Sequence, residues 1–289
     1  MRSVLETIVD PLALSVCFQP IFKIKGGAKH IDSVEALIRG PRGTNFARAD
    51  ILFDYVRRKR AEAAVDRSCF VAICNAASAL PADVRVNVNV HAATLGHGPG
   101  FVEFFKHQAK KQSLNLDRIT LEIVEHAPTC NVPQLTDSII ELRDAGVRIA
   151  LDDVGLGQSN YRMMLDCHPQ YFKLDAYFVR GLSVDLKRRA VVESLVALAK
   201  TLESAVVAEG ASSEDDLAQL AKLGVDLVQA NILCPAMPLE ELRKLGHLPN
   251  PSVVTMPPVS VPRDQGFRVV GQQRMRLSAA AGAEELFYT

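Results

Sequence analysis

The sequence predicts an α/β protein, a TIM-like (β/α)8 barrel, on three observations. Short β-branched runs alternate with longer stretches of helical spacing, and the alternation repeats along most of the chain. Glu35, Asn89, Glu122, Asp152, Asp153, Lys173 and Glu209 each sit at or just after the end of such a run, with Asp152 and Asp153 sharing one. In a parallel barrel those ends converge on one rim, where the chemistry of such barrels resides. Finally, 289 residues with 48% hydrophobic content suit one barrel-sized domain better than two small ones.

Eight strands are predicted in order: Val16–Ile24, Ser33–Ile38, Val84–Val90, Ile119–Val124, Val147–Leu151, Tyr171–Leu174, Ala205–Ala208 and Val225–Val228. The first connection passes through Gly26–Gly27 and is short enough for a hairpin, which lets the first two strands run antiparallel. Amphipathic stretches follow the later strands: Pro133–Ala145, with apolar Leu135, Ile139, Ile140 and Leu142, then Arg188–Leu202 and Ser213–Leu223. Pro133 suits a first helical turn, where a missing N–H loses no bond. Ser213 before Glu214 and Asp215 is a favourable N-terminus, and Gly224 closes the same helix. The basic runs Arg57–Arg60 and Lys187–Arg189 read as solvated helix faces. Residues 1–248 are therefore expected to form the barrel. In 249–289, Pro249, Pro251, Pro257, Pro258 and Pro262 interrupt every helical pattern, so this part is expected to be a flexible extension.

The 33 basic and 33 acidic residues cancel, so no global field favours duplex nucleic acid or an anionic membrane, and any anionic ligand must be held locally. No apolar stretch approaches the roughly 20 residues of a membrane helix. Cys17, Cys69, Cys74, Cys130, Cys167 and Cys234 are scattered without a CxxC pair, and no secretory leader precedes the first strand-like run. They read as reduced thiols in a cytoplasmic protein.

A carboxylate in a buried strand is unfavourable unless compensated. Glu35 lies in SVEALIR, Glu122 in ITLEIVE, and Asp152–Asp153 closes VRIALDD. With Asn89 they form an oxygen-rich set without His or Cys, which suits Mg2+ or Mn2+ better than zinc or copper. Adjacent carboxylates can serve two ions about 3.5–4 Å apart, the spacing that clamps an in-line phosphoryl displacement. Lys173 is then placed to orient the attacking water or stabilise the phosphoryl oxygens. His91 and His126, beside the rim, read as packed or exposed loop groups.

These residues closely resemble the EAL-domain family, the bacterial cyclic di-GMP phosphodiesterases. The match runs from FQPIF (Phe18–Phe22) through VEALIRG, VNVNV, LEIVEH, LDDVGLG, FKLD, VVAEG and LVQA, with order and spacing agreeing across roughly 16–242. The resemblance implies a barrel with an antiparallel first strand that hydrolyses cyclic di-GMP to linear pGpG with Mg2+ or Mn2+, Ca2+ binding but inhibiting. By position, Glu35, Asn89, Glu122 and Asp152 look like ligands of one ion, and Asp152, Asp153 and Glu209 of a second. Lys173 looks like the water-binding lysine. Glu125 matches the glutamate that steadies the loop after the fourth strand. Gln19, Glu35, Leu37, Arg39, Asp175 and Gln229 fall where family members contact substrate. A homodimer is implied, and a separate regulatory or sensor protein is a candidate partner.

Several positions depart from the family pattern. Val154 replaces the aromatic of DDFGTG, Ala211 and Ser212 alter AEGVET, Gln229-Ala230-Asn231 replaces Gln-Gly-aromatic, Pro235-Ala236 replaces Arg-Pro, and Gly40 stands where a large residue is common. A catalytically weak cyclic di-GMP receptor or partner-binding module is the alternative reading, and an unrelated barrel hydrolase a third.

Overall fold

The computed structural model describes residues 3–24, 30–96, 100–124, 131–156 and 160–244. Eight strands close a barrel in sequence order: β1 (Ser15–Lys23), β2 (His30–Arg39), β3 (Arg85–His91), β4 (Ile119–Val124), β5 (Arg148–Val154), β6 (Tyr171–Leu174), β7 (Ala205–Glu209) and β8 (Leu227–Gln229). The ladder is parallel from β2 to β8, while β1 runs antiparallel to both its neighbours. The expected architecture, including the reversed first strand, is thus present.

The described helices are α1 (Val4–Ile8), α2 (Ala49–Lys59), α3 (Glu62–Ala77), α4 (Ala92–Gly96), α5 (Gly100–Lys111), α6 (Val132–Asp144), α7 (Asn160–Cys167), α8 (Ala176–Val179), α9 (Leu186–Thr201), α10 (Glu214–Leu223) and α11 (Leu239–Lys244). Their starts are satisfied locally. Asn131 accepts from Gln134 N with proline in the first turn of α6, Asp185 accepts from Lys187 N and Arg188 N, and Ser213 accepts from Asp216 N. Gly224 ends α10 in the left-handed region at φ 83°, which glycine adopts without side-chain strain.

Strand alternation separates two environments. In RVNVNVH the valines at 86, 88 and 90 are buried in the large apolar layer that also holds Val65 and Ile73 of α3. Asn87 and Asn89 alternate with them and so face the barrel interior. A smaller interior cluster of Ile21, Val207 and Leu227, with Tyr171 against it, fills the end where the parallel strands begin. At that end Arg85 pairs with Asp32 and donates to the Tyr171 hydroxyl at 2.8 Å. The interior is therefore packed at its base and polar above it.

Among the described residues no helix is long and apolar enough to cross a membrane. Cys17, Cys69, Cys74 and Cys234 are free thiols. Cys130, His126, Glu125 and the predicted extension at 249–289 lie outside the described residues.

Candidate active site

Backbone register builds the site. The antiparallel pairing sets Gln19 opposite Glu35, and the parallel ladders set Glu35 beside Asn87, Asn89 beside Glu122, and Glu209 beside Gln229. Groups far apart in sequence thereby meet at the strand ends.

Their centre is the Lys173 ammonium, 1% exposed. Its Nζ stands 2.7 Å from Glu122 Oε2, 2.6 Å from Glu209 Oε1, 3.4 Å from Asp152 Oδ1 and 3.5 Å from Glu35 Oε2. The Glu122 contact is also an aligned hydrogen bond, whereas Glu209 Oε1 has the ion pair without that alignment. Burial by itself pulls the lysine down, but Asp152, Glu122, Glu209 and Glu35 together hold it well above the usual lysine range.

The carboxylates divide by environment. For Glu35 burial pushes upward, yet Lys173 and the amides of Gln229 and Asn89 overcome it and hold the group below its ordinary value. Asn89 Nδ2 donates to Oε1 at 2.6 Å, and Gln229 Nε2 donates to Oε2 at 2.6 Å. Glu122 moves the other way: burial, then Glu35 and Asp152 repulsion, outweigh Lys173 and hold it well above the carboxylate range. Glu209 is pushed up to about 8, again by burial first, with Asp152 and Glu35 opposing the pull of Lys173.

Four carboxyl groups thus face one ammonium, and the upward shifts of Glu122 and Glu209 express a mutual repulsion that added cations would relieve. Among the described residues no group of three or more His, Cys, Asp or Glu is arranged to hold an ion, and Lys173 draws these carboxylates to itself. The all-oxygen donor set and its mutual repulsion nevertheless fit hard divalent cations.

The remaining expected residues surround this centre. Asp153 turns through φ 52°, a left-handed conformation that aspartate tolerates better than most residues, where β5 breaks register before resuming at Val154. Gln19 accepts from Gln229 Nε2 at 3.0 Å. Leu37, Arg39, Phe53, Arg57, Asn89 and His91 line an adjoining cavity of about 380 Å3. Arg39 there donates to the Ile38 carbonyl at 3.0 Å. Asp175 accepts from Tyr177 N at 2.7 Å, capping α8 at the rim. The His91 ring is 2.8 Å from Asp66 Oδ1, away from the lysine centre.

Sequence reasoning missed Asn87, which is 4% exposed and donates through Nδ2 to Glu122 Oε1 at 2.7 Å. The period-two pattern of VNVNV carried that signal, since it puts Asn87 on the same face as Asn89.

The structure also explains departures from the expected motifs. A Cβ at Gly40 would run into the Phe46 carbonyl oxygen, so the backbone at Phe46 fills the space of a side chain. Val154 is fully buried, and the loop is packed instead by Phe178 of α8, 2.8 Å from where a Cβ on Gly155 would sit. Ser212 donates through N and Oγ to Asp216 Oδ2.

A β/α barrel with a lysine and four carboxyl groups gathered at the strand ends has the build of barrels that carry their chemistry on the C-terminal rim. The chain belongs to the EAL domain family, whose pattern matches residues 4–236. It is similar to the bifunctional diguanylate cyclase/cyclic di-GMP phosphodiesterase MucR of Pseudomonas aeruginosa, 30% identical over 161 residues that cover 56% of this chain and 23% of that protein. It is also similar to the cyclic di-GMP phosphodiesterase TpdA of Vibrio parahaemolyticus, 29% identical over 146 residues that cover 50% and 25%. The matched segments thus span about a quarter of those relatives. Among solved structures, the PaMucR phosphodiesterase in complex with c-di-GMP superposes with a TM-score of 0.70 at 25% identity, covering 80% of this chain and 99% of that one. An EAL domain protein of Listeria monocytogenes shares the fold with a TM-score of 0.72 at 21% identity, covering 85% and 98%.

Proposed function

We propose that this chain is a metal-dependent phosphodiesterase that hydrolyses one phosphodiester of cyclic di-GMP to linear pGpG. The observation that carries the proposal is the buried Lys173 ammonium surrounded by the carboxylates of Glu35, Glu122, Asp152 and Glu209. Phosphodiesterase relatives, and c-di-GMP bound to a similar barrel, support the choice of substrate.

Glu35, Asn89, Glu122 and Asp152 would hold one ion, and Asp152, Asp153 and Glu209 a second. Bound Mg2+ or Mn2+ supplies Lewis acidity, polarising the phosphoryl oxygen and making a water acidic enough to attack near neutral pH. Lys173, held protonated, has no lone pair with which to take a proton. Its part is to donate: it orients the attacking water and stabilises charge on the phosphoryl oxygens. Arg39 is suited to a bidentate grip on a phosphate, and Gln19, Leu37, Asp175 and Gln229 to substrate contacts beside it. Glu125 steadies the loop after β4 in this proposal. The cavity beside Asn89 falls in the size range of small-molecule sites. A homodimer in the cytoplasm, controlled by a separate regulatory or sensor protein, completes the reading.

The test incubates purified chain with cyclic di-GMP and Mg2+ or Mn2+, resolves the nucleotides by chromatography, and titrates binding in Ca2+. The expected result is pGpG that disappears in Glu35→Ala, with binding but little turnover in Ca2+. Binding without turnover under every metal would make the chain a receptor and overturn the assignment of hydrolysis.

A further inference from the structure

The amides beside Glu35 form a chain with a fixed polarity. Both oxygens of Glu35 accept from amides, Oε1 from Asn89 Nδ2 and Oε2 from Gln229 Nε2, each at 2.6 Å, and the same Gln229 NH2 donates to Gln19 Oε1 at 3.0 Å. Gln19 therefore has its carbonyl inward and its NH2 outward. That NH2 donates to Asn231 Oδ1 at 3.0 Å and to the Cys234 carbonyl at 3.2 Å. A flipped Gln19 amide would set oxygen against oxygen at Asn231 and Cys234 and NH2 against NH2 at Gln229. Gln229 is 6% exposed, and among the described residues its Oε1 has no hydrogen-bond partner, an acceptor that the chain of amides leaves for a ligand.

Where the EAL family usually has an aromatic, this chain thus has a hydrogen-bond acceptor that reaches Gln19. We propose that Asn231 is a positioning residue for substrate binding: its Oδ1, together with the Cys234 carbonyl, holds the outer end of the Gln19 amide in the place that presents Gln19 at the mouth of the site. Gln229 stays anchored on Glu35 whether or not Asn231 is present, so the effect falls on binding and not on the reacting centre. The identity of the ligand rests on the cyclic di-GMP reading above, whereas the amide chain itself does not.

Asn231 is exposed, in a turn, so truncating it leaves the barrel core untouched. The test compares Asn231→Ala and Asn231→Asp by side-chain amide NMR in the ligand-free and metal-free chain, with the Gln19 resonance identified by its loss in Gln19→Glu. The Gln19 amide is expected to shift toward a solvent-exposed position in Asn231→Ala and to keep its place in Asn231→Asp, which retains the acceptor. Cyclic di-GMP affinity in Ca2+ should weaken about five- to tenfold in Asn231→Ala, as for loss of one neutral hydrogen bond, and KM should rise while kcat holds. An unchanged Gln19 resonance in Asn231→Ala overturns the proposal. So does a changed resonance with unchanged affinity. Should the wild-type chain not bind cyclic di-GMP at all, the functional reading fails on its own, and the resonances alone decide whether Asn231 positions Gln19.

Discussion

Lys173 shows how a single residue can carry opposite duties in one site. It compensates four carboxylates while remaining the only cation among the groups described at the centre. Burial of a lone ammonium would drive its pKa down, as it does in lysines that act as bases. Here the surrounding carboxylates reverse the sign and hold the lysine above its ordinary range, which suits it to donate. Lys173→Ala is therefore expected to lower kcat by about 10²–10³-fold, in the range for removing one preorganised donor, while KM changes little. Steady-state kinetics on cyclic di-GMP check it, and an effect confined to KM would contradict a role at the attacking water. Asn87 belongs to the same balance, because its amide occupies Glu122 Oε1 and leaves Oε2 to the lysine. Sequence spacing could place these residues on strand ends. It could not show that the lysine sits between the carboxylates, since that depends on four side-chain conformations at once.

The elements matter most where two rim loops are tied together. Asp216, in the first turn of α10, is fully buried and accepts from Gly181 N and Ser183 N, both at 3.1 Å, and from Ser212 Oγ at 3.0 Å. It thereby joins the α8–α9 connection to the segment after β7 that follows Glu209. Burial pushes its carboxyl up, but the backbone N–H groups of Ser183 and Gly181, with Ser212, prevail and hold it at about 2. A carboxyl lowered in the folded state adds stability above its ordinary value of 3.8 and loses it as pH falls through about 2. Asp216→Ala is expected to destabilise the chain by roughly 3 kcal/mol at neutral pH, because hydrogen bonds to charged groups contribute about 1.5–3 kcal/mol each and do not add fully. Chemical denaturation at pH 7 and again near pH 2, where the difference should shrink, measures both parts. This tie was hidden in the sequence, where Glu214 and Asp215 read as first-turn acids favouring the helix dipole and nothing set Asp216 apart. The strands were far more legible: Ile119–Val124 and Tyr171–Leu174 are bounded as their apolar runs suggest. β5 outran its apolar run, reaching Val154, because pairing with β6 resumes there after the irregularity at Asp152 and Asp153. A register break of that kind is fixed by the neighbouring strand and leaves little trace in local composition.

At the scale of the whole molecule, closure converts sequence distance into charge density. Reversing β1 brings Gln19 level with Glu35, and β8 then seals the ring so that Gln229 reaches both. Neither contact exists in an open sheet, which is why the fold class was readable from alternation and the amide chain was not. Closure also crowds carboxyl groups around Lys173 at the rim, and the repulsion among them makes stability and metal binding two sides of one equilibrium. Glu209 is raised from 4.5 to about 8, so its contribution favours the folded chain fully below 4.5 and is lost as pH rises through about 8. Glu122, also raised, acts in the same direction. The metal-free protein should accordingly lose thermal stability between about pH 5 and 8 relative to a Glu209→Gln variant, in which that titration is absent. A divalent ion competes with those protons, so Mg2+ or Mn2+ should raise Tm more at pH 8 than at pH 6, and its binding at pH 7 should release protons. Differential scanning calorimetry with and without metal, and titration calorimetry in buffers of different ionisation enthalpy, read the two effects separately. Equal stabilisation at both pH values, with no proton release, would mean that the ion binds away from the carboxylates around Lys173.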